Sequence, residues 1–405
     1  MTNRAGAMPA ILPRAIAMMA LLQALVALAI FSISVTAPVT GLTVQSVAYF
    51  QALLCVVAAT MSLLSGKLCS RFGPIRVAQG CALAVAAGAL LLAGASVVQL
   101  TLGWLLCAAV LFGLAFGPET PASSAFLSPL TPPARRPLVF SIRQTGNQIG
   151  AIFGSLLLPG LAIVAVPSAF GLVAAMALLA CYLLGTMRRH ESPASDSRAA
   201  STRVLDGWRR IWADPGLSLL AIPVFAFAAM QICLNSFLAL HAVRAWGWSP
   251  VQAGMLLALA QGGGLIGRLL WGALASHYST ARAWLAGIGA GMSACALLIG
   301  VVGMDGANVN MPGLLVLAFV FGLTASGWNG VLLAEVARLS PGFEAANTGA
   351  LLTLSYVGLV LGPLAYWLTV SPATPGGGFI ALAVAGLVGT LSLCFTRAVA
   401  RRTSI

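Results

Sequence analysis

Apolar residues fall in twelve long runs, near residues 15–35, 47–66, 77–98, 101–125, 142–165, 168–187, 216–240, 250–274, 283–303, 312–335, 346–370 and 378–396. Gly, Pro or charged residues bound each run. A bilayer core of ~30 Å needs about 20 apolar residues per helix, so each run predicts one membrane span. Alternation of apolar and polar positions is absent, which argues against an outer-membrane barrel. The tightest predicted turns are at Gln99 to Thr101 and around Pro167. After six runs comes one long polar stretch, residues 188–214, read as a cytoplasmic linker. Its segment from Val204 to Trp212 is amphipathic, and Trp208, Ile211 and Trp212 are expected to rest on the membrane surface. The reading is an all-α membrane protein with an N-terminal six-helix bundle (1–187), a linker (188–214) and a C-terminal six-helix bundle (215–405).

Composition agrees. The chain has 405 residues, 60% of them hydrophobic and 7% charged, where a soluble domain keeps roughly a quarter charged. A net charge of +13 would suggest nucleic acid in a soluble protein. Here the basic residues sit in the connections between runs, so no nucleic-acid partner is expected. With the N-terminus inside, 20 of the 21 basic residues fall on the cytoplasmic side, Arg244 excepted. The excess of Lys and Arg on cytoplasmic loops therefore places both termini inside. Arg replaces Lys almost everywhere, Lys67 being the one lysine, which points to a GC-rich bacterial gene and an inner-membrane location. The first run is long for a signal peptide and reads as an uncleaved span. The eight cysteines form no CxxC pair and read as small apolar helix residues, with no metal or cofactor implied.

An internal repeat supports two related halves. Residues Ser65 to Phe72 match Trp271 to Tyr278 at an offset of 206, as Gly41-Leu42-Thr43 matches Gly247-Trp248-Ser249. Phe112-Gly113-Leu114 matches Phe321-Gly322-Leu323, and Leu130-Thr131-Pro132 matches Leu339-Ser340-Pro341, both at an offset of 209.

Gly66-Lys67-Leu68-Cys69-Ser70-Arg71-Phe72-Gly73-Pro74-Ile75-Arg76 resembles the G-x-L-A-D-R-x-G-R-[KR] loop between spans two and three of major facilitator superfamily transporters. The resemblance implies twelve helices as two six-helix bundles related by pseudo-two-fold symmetry, and transport by alternating access. It makes Gly66, Ser70, Arg71 and Arg76, with Gly272 and Ser276 in the second half, gating-loop positions. Gly66 is expected at a close helix approach. Ser70 and Ser276 stand where the family carries Asp, so a weaker hydroxyl contact must serve. Gly146, Gly150 and Gly154 recur every fourth residue in span five and resemble a degraded antiporter motif, with Ala151 in place of its Pro. The spacing also suits close helix packing. The family's fourth-span Arg motif is absent.

An ionisable group inside a span is costly there and is a functional candidate for that reason. Glu119 lies in Gly117-Pro118-Glu119-Thr120-Pro121, where the two prolines are expected to interrupt the helix. At 1.5 Å per residue Glu119 sits ~12 Å deep and Arg143 ~7 Å deep on the neighbouring span, so the two are expected to pair. This pair either handles an anionic substrate and protons or pins two spans together. Further candidates for the substrate cavity are Asn147, Gln231, Asn235, Gln261, Trp328, Asn329 and Tyr356. Glu335 and Arg338 are expected to pair at the inner end of span ten. His241 and Arg244 read as loop residues, and the deep charges are expected in the first half only.

The sequence therefore predicts a secondary transporter, not an enzyme. Its substrate is a small organic solute, an organic anion on the strength of Arg143 and Asn147, and protons are the expected coupling partner. The chain is expected to act as a monomer in the lipid bilayer. Degradation of the antiporter motif favours uptake. Proton-driven efflux of drugs or metabolites, and a non-transporting receptor or scaffold, stay open.

Overall fold

The computed structural model describes residues 11–132, 135–190, 208–277, 281–302, 311–339 and 344–402. Among these, twelve stretches are helical, long and apolar enough to cross a membrane. The first half comprises α1 (Leu12–Thr40), α2 (Val44–Phe72), α3 (Pro74–Val98), α4 (Leu102–Leu130), α5 (Arg136–Val164) and α6 (Val166–Gly185). The second comprises α7 (Pro215–Trp246), α8 (Pro250–His277), α9 (Ala281–Val302), α10 (Met311–Ala325), α11 (Trp328–Leu339), α12 (Glu344–Thr369) and α13 (Gly377–Arg402). Spans one to nine are α1 to α9; α10 and the start of α11 make the tenth, and α12 and α13 complete the set. By packing, the chain divides into two compact units, Met1–Thr36 with Leu53–Arg198, and Ala37–Ala52 with Ala199–Ile405.

The repeats found in the sequence mark equivalent structural tasks. Gly41 and Gly247 both have left-handed backbones, φ 70 and 68, a conformation glycine adopts without a Cβ penalty. Two residues on, Thr43 Oγ1 accepts the Ser46 N–H at 3.0 Å and Ser249 Oγ accepts the Gln252 N–H at 3.3 Å. The side chain of Gln252 reaches back to the Ser249 N–H, completing a capping box. Each Gly-x-[Thr/Ser] is thus a helix stop followed by a helix start.

Glycines fix the close approaches within each unit. A Cβ at Gly113 would press on the Leu54 carbonyl, and one at Gly322 would press on the Ala260 carbonyl. These are the same helix pair in the two halves, since Gly113 and Gly322 are 209 apart and Leu54 and Ala260 are 206 apart. Further along, Gly117 presses on Ala58, while its partner position holds Ser326 and the glycine has moved across to Gly264. One side of the contact must stay small; which side does not matter. The α5 glycines follow the same logic. Gly146 and Gly150 sit against the carbonyls of Ala20 and Ala24 on α1, and Gly358 and Gly362 sit against Phe225 and Ala229 on α7. The outer packing repeats too: α3 lies on α4 and α6, as α9 lies on α10 and α13.

Two features differ from expectation. Span four is not interrupted: α4 runs unbroken through Pro118, Pro121 and Pro129. Each proline removes an N–H and strains the turn before it, but in apolar surroundings the remaining amides have no water to bond instead, so the helix persists. The break falls in span ten, at Ser326-Gly327. The Gly327 N–H bonds the Thr324 carbonyl at 3.3 Å, one residue short of the helical partner. That leaves the Leu323 carbonyl without its amide, and the Trp271 indole N–H takes it at 2.9 Å. A broken span is tolerated where a neighbouring side chain re-satisfies the backbone.

Of the linker, residues 191–207 lie outside the described set, and with them the start of the amphipathic segment. A short helix over 208–213 carries Trp208 stacked on Trp212, ring centroids 6.3 Å apart. Trp212 is exposed, as a surface-resting residue must be; Ile211 is instead fully buried in the protein.

Candidate functional site

In the first unit α4 and α5 bring together the two deep charges. Glu119 and Arg143 are almost completely buried, with Arg143 Nη1 donating to Glu119 Oε1 at 2.9 Å. The same carboxylate accepts from Ser123, one helical turn on, at 3.0 Å, and its second oxygen accepts from Thr120 at 2.8 Å. Three charge-assisted donors on one carboxylate are what burial of an anion demands. The guanidinium is less complete: its buried Nε has no hydrogen-bond partner. Arg143 precedes Gly150 by seven residues, about 20° off the same helix face. The glycine stripe that seats α5 on α1 therefore also sets the direction of Arg143. Asn147, one turn further, is half-buried, and Gln148 is buried with its carbonyl oxygen unpartnered.

In the second unit four of the predicted polar residues meet. Gln261 on α8 donates to Asn235 on α7 at 2.8 Å, and the Trp328 indole donates to Gln231 at 3.2 Å. Trp328, 1% exposed, also packs edge-on against Phe227 at 6.0 Å. It is the first residue of α11, so the break in span ten delivers it to Gln231. These contacts use the side-chain oxygens of Gln231 and Asn235 and are interhelical bonds of the kind that hold membrane bundles together. Asn329 and Tyr356 are half-buried.

At the gating loops Ser70 Oγ donates to the Lys67 carbonyl of its own helix at 3.0 Å. Arg71 lies over the Phe72 ring at 5.3 Å, and Arg76 is exposed. Gly272 has open space where a Cβ would go, so this second-half position is not a close approach. The side chain of Ser276 lies outside the described residues.

Sequence reasoning missed the depth of Glu335. It is fully buried and binds Arg282 at 3.0 Å as well as the expected Arg338 at 2.7 Å. Hydrogen bonding to Glu335 holds Arg338 still more firmly in its charged form. Buried charge is therefore present in both halves, in the second at the inner end of span ten. The signal was available: Arg282 stands 206 residues after Arg76, and Glu335 needed only to be read as facing it. His241 and Arg244 are also not loop residues; both belong to α7, His241 buried against Trp246 and Phe379. They line a cavity of about 600 Å³ with Gln45, Phe237, Tyr366 and Trp367, where Arg244 donates to the Leu42 carbonyl at 2.7 Å. None of the substrate residues expected from the sequence lines it.

The sequence profile of the Major Facilitator Superfamily matches residues 19–363. Among curated proteins, the MFS-type transporter Rv2994 of Mycobacterium tuberculosis, itself uncharacterized, is 28% identical over 267 residues. That match takes in 64% of this chain and 57% of the relative's length. Among solved structures, the nucleoside transporter NupG superposes with a TM-score of 0.75 at 15% identity, over 95% of this chain and 98% of that one. A D-xylose–proton symporter gives 0.73 at 14% identity, over 94% and 96%. The peptide transporter POT gives 0.72 at 17%, over 96% and 94%. At such identities these likenesses speak for the fold alone. Twelve spans, a repeated helix packing and the profile match converge: this chain belongs to the major facilitator superfamily.

Proposed function

We propose that this transporter takes up a small organic anion across a bacterial inner membrane, coupled to protons, as a monomer working by alternating access. The carrying observation is the buried Glu119–Arg143 pair. The carboxylate is the one group of the pair that can change charge, since guanidinium stays protonated. Protonation of Glu119 would release Arg143, whose Nε already lacks a partner, to bind an anionic substrate. Release of the substrate on the inner side frees Arg143, and loss of the Glu119 proton to that side re-forms the pair. One buried pair thereby links a proton to an anion with no cofactor. Asn147, a turn from Arg143, is proposed to supply a hydrogen bond, and Gln231, Asn235, Gln261, Trp328, Asn329 and Tyr356 are proposed as the second unit's contribution. The arginine distribution supports cytoplasmic termini, and Gly66, Ser70, Arg71, Arg76, Gly272 and Ser276 are proposed to form the inner gate.

The uptake reading gains support from the glycines of α5, whose resemblance to an antiporter motif is accounted for by packing on α1. The test is flux into proteoliposomes across a panel of carboxylates, with and without a pH gradient, after a thermal-shift screen has picked the ligands. A pH gradient should accelerate anion uptake in the wild type, and Glu119→Gln should transport without responding to it. Unchanged pH response in Glu119→Gln removes this carboxylate from the mechanism, and gradient-driven extrusion of the ligand would replace uptake with efflux. Flux of no panel ligand that binds would favour a receptor.

A further inference from the structure

At the junction of α2 and α3 lies a crevice of about 310 Å³ lined by Met61, Leu68, Phe72, Arg76, Val77, Gly80, Cys81, Leu114 and Pro118. Its walls are apolar except at one end, where Arg76 stands. Arg71 and Lys67, both exposed like Arg76, stand on the last turns of α2. Among the described residues these three cations form no ion pair. The first carboxylate in the whole sequence is Glu119, and it is held by Arg143. The other ion pairs among the described residues join Glu335 to Arg282 and Arg338. The asymmetry of charge on the two membrane faces explains why this turn is basic. It does not explain why an open apolar crevice runs from the basic cluster along the span.

We infer that this crevice is a binding site for an anionic phospholipid, with an acyl chain between α2, α3 and α4 and the headgroup phosphate at Arg76, Arg71 and Lys67. The trio stands where two spans end, the level at which headgroups lie, and basic pockets between spans on that face suit anionic lipid. Three cations that form no ion pair among the described residues favour an anionic headgroup over a zwitterionic one, whose ammonium they would repel. Leu68 and Phe72, the latter 46% exposed, line the crevice and make its mouth apolar below the charges, as a lipid requires and a free phosphate does not. The inference is independent of the transported solute.

The test measures thermal stability of the purified full-length protein against added phosphatidylglycerol, phosphatidylcholine and glycerol phosphate. Phosphatidylglycerol should raise the melting temperature saturably, and the other two should not. The triple variant Lys67→Gln, Arg71→Gln, Arg76→Gln should need at least tenfold more phosphatidylglycerol for the same shift. A second variant keeps every charge: Gly80 lines the crevice and a Cβ there meets nothing within 4 Å, so Gly80→Leu should fill the space without a clash and also lose the shift. Equal shifts from both lipids, a full shift in either variant, or a shift from glycerol phosphate alone would each overturn the site.

Discussion

Neutralising one member of the Glu119–Arg143 pair should cost far more than neutralising both. At 2.9 Å and an effective dielectric constant of ~20, the gross attraction is about 6 kcal/mol. The net worth of the pair is smaller, because both groups were taken out of water to form it. Removing one partner leaves the other buried and uncompensated, a loss of about 3–5 kcal/mol. The two single variants should also differ. Glu119→Gln strands a guanidinium that has no neutral form and whose Nε already lacks a partner. Arg143→Gln leaves a carboxylate that keeps the Ser123 and Thr120 hydroxyls. Glu119→Gln should therefore be the more damaging, and the double variant should recover more than the whole Arg143→Gln loss of about 3–5 kcal/mol relative to the sum of the singles. Unfolding of the four forms in mixed dodecyl maltoside and SDS micelles measures this cycle. Additive losses, or a double variant no better than Glu119→Gln, would refute the claim that burial makes the two charges interdependent.

The glycine contacts give a second prediction. Gly150→Ala should force α1 and α5 apart and lower stability by about 1–3 kcal/mol, because the new Cβ would lie 2.6 Å from the Ala24 carbonyl carbon. Gly160→Ala on the same helix meets nothing within 4 Å and should be neutral or slightly stabilising; equal effects in a thermal-denaturation series would contradict the packing. Trp271→Phe should strand the Leu323 carbonyl at the break in span ten and cost about 1–3 kcal/mol, read in the same series. At the inner end of span ten, Glu335→Gln should destabilise much more than Arg338→Gln. Glu335 is fully buried with two cations upon it, whereas the Arg338 side chain is 53% exposed and surface pairs are worth about 0–1 kcal/mol.

Much of this was legible in the chain. A span announces itself because lipid admits only apolar side chains and internally bonded backbone, so twelve runs became twelve spans. The repeat was legible for a related reason. Gly41 and Gly247 must turn left-handed, and Gly113 and Gly322 must pass a carbonyl; no other residue does either as well, so the letters survive at matching offsets. Glu119 and Arg143 were found from depth alone, since an unpaired charge at that depth is too costly to leave. The breaks were not legible. Proline reads as an interruption, yet α4 stays whole through three prolines, while Ser326-Gly327 ends α10 because Trp271, fifty residues away, stands ready to take the freed carbonyl. Glu335 was misjudged in the same way: its place near a span end reads as a surface charge, and only the approach of Arg282 from α9 makes full burial tolerable. Periodicity and depth are local properties and belong to the sequence. Which polar groups are satisfied, and by whom, depends on partners brought together by packing, and that only the tertiary structure decided.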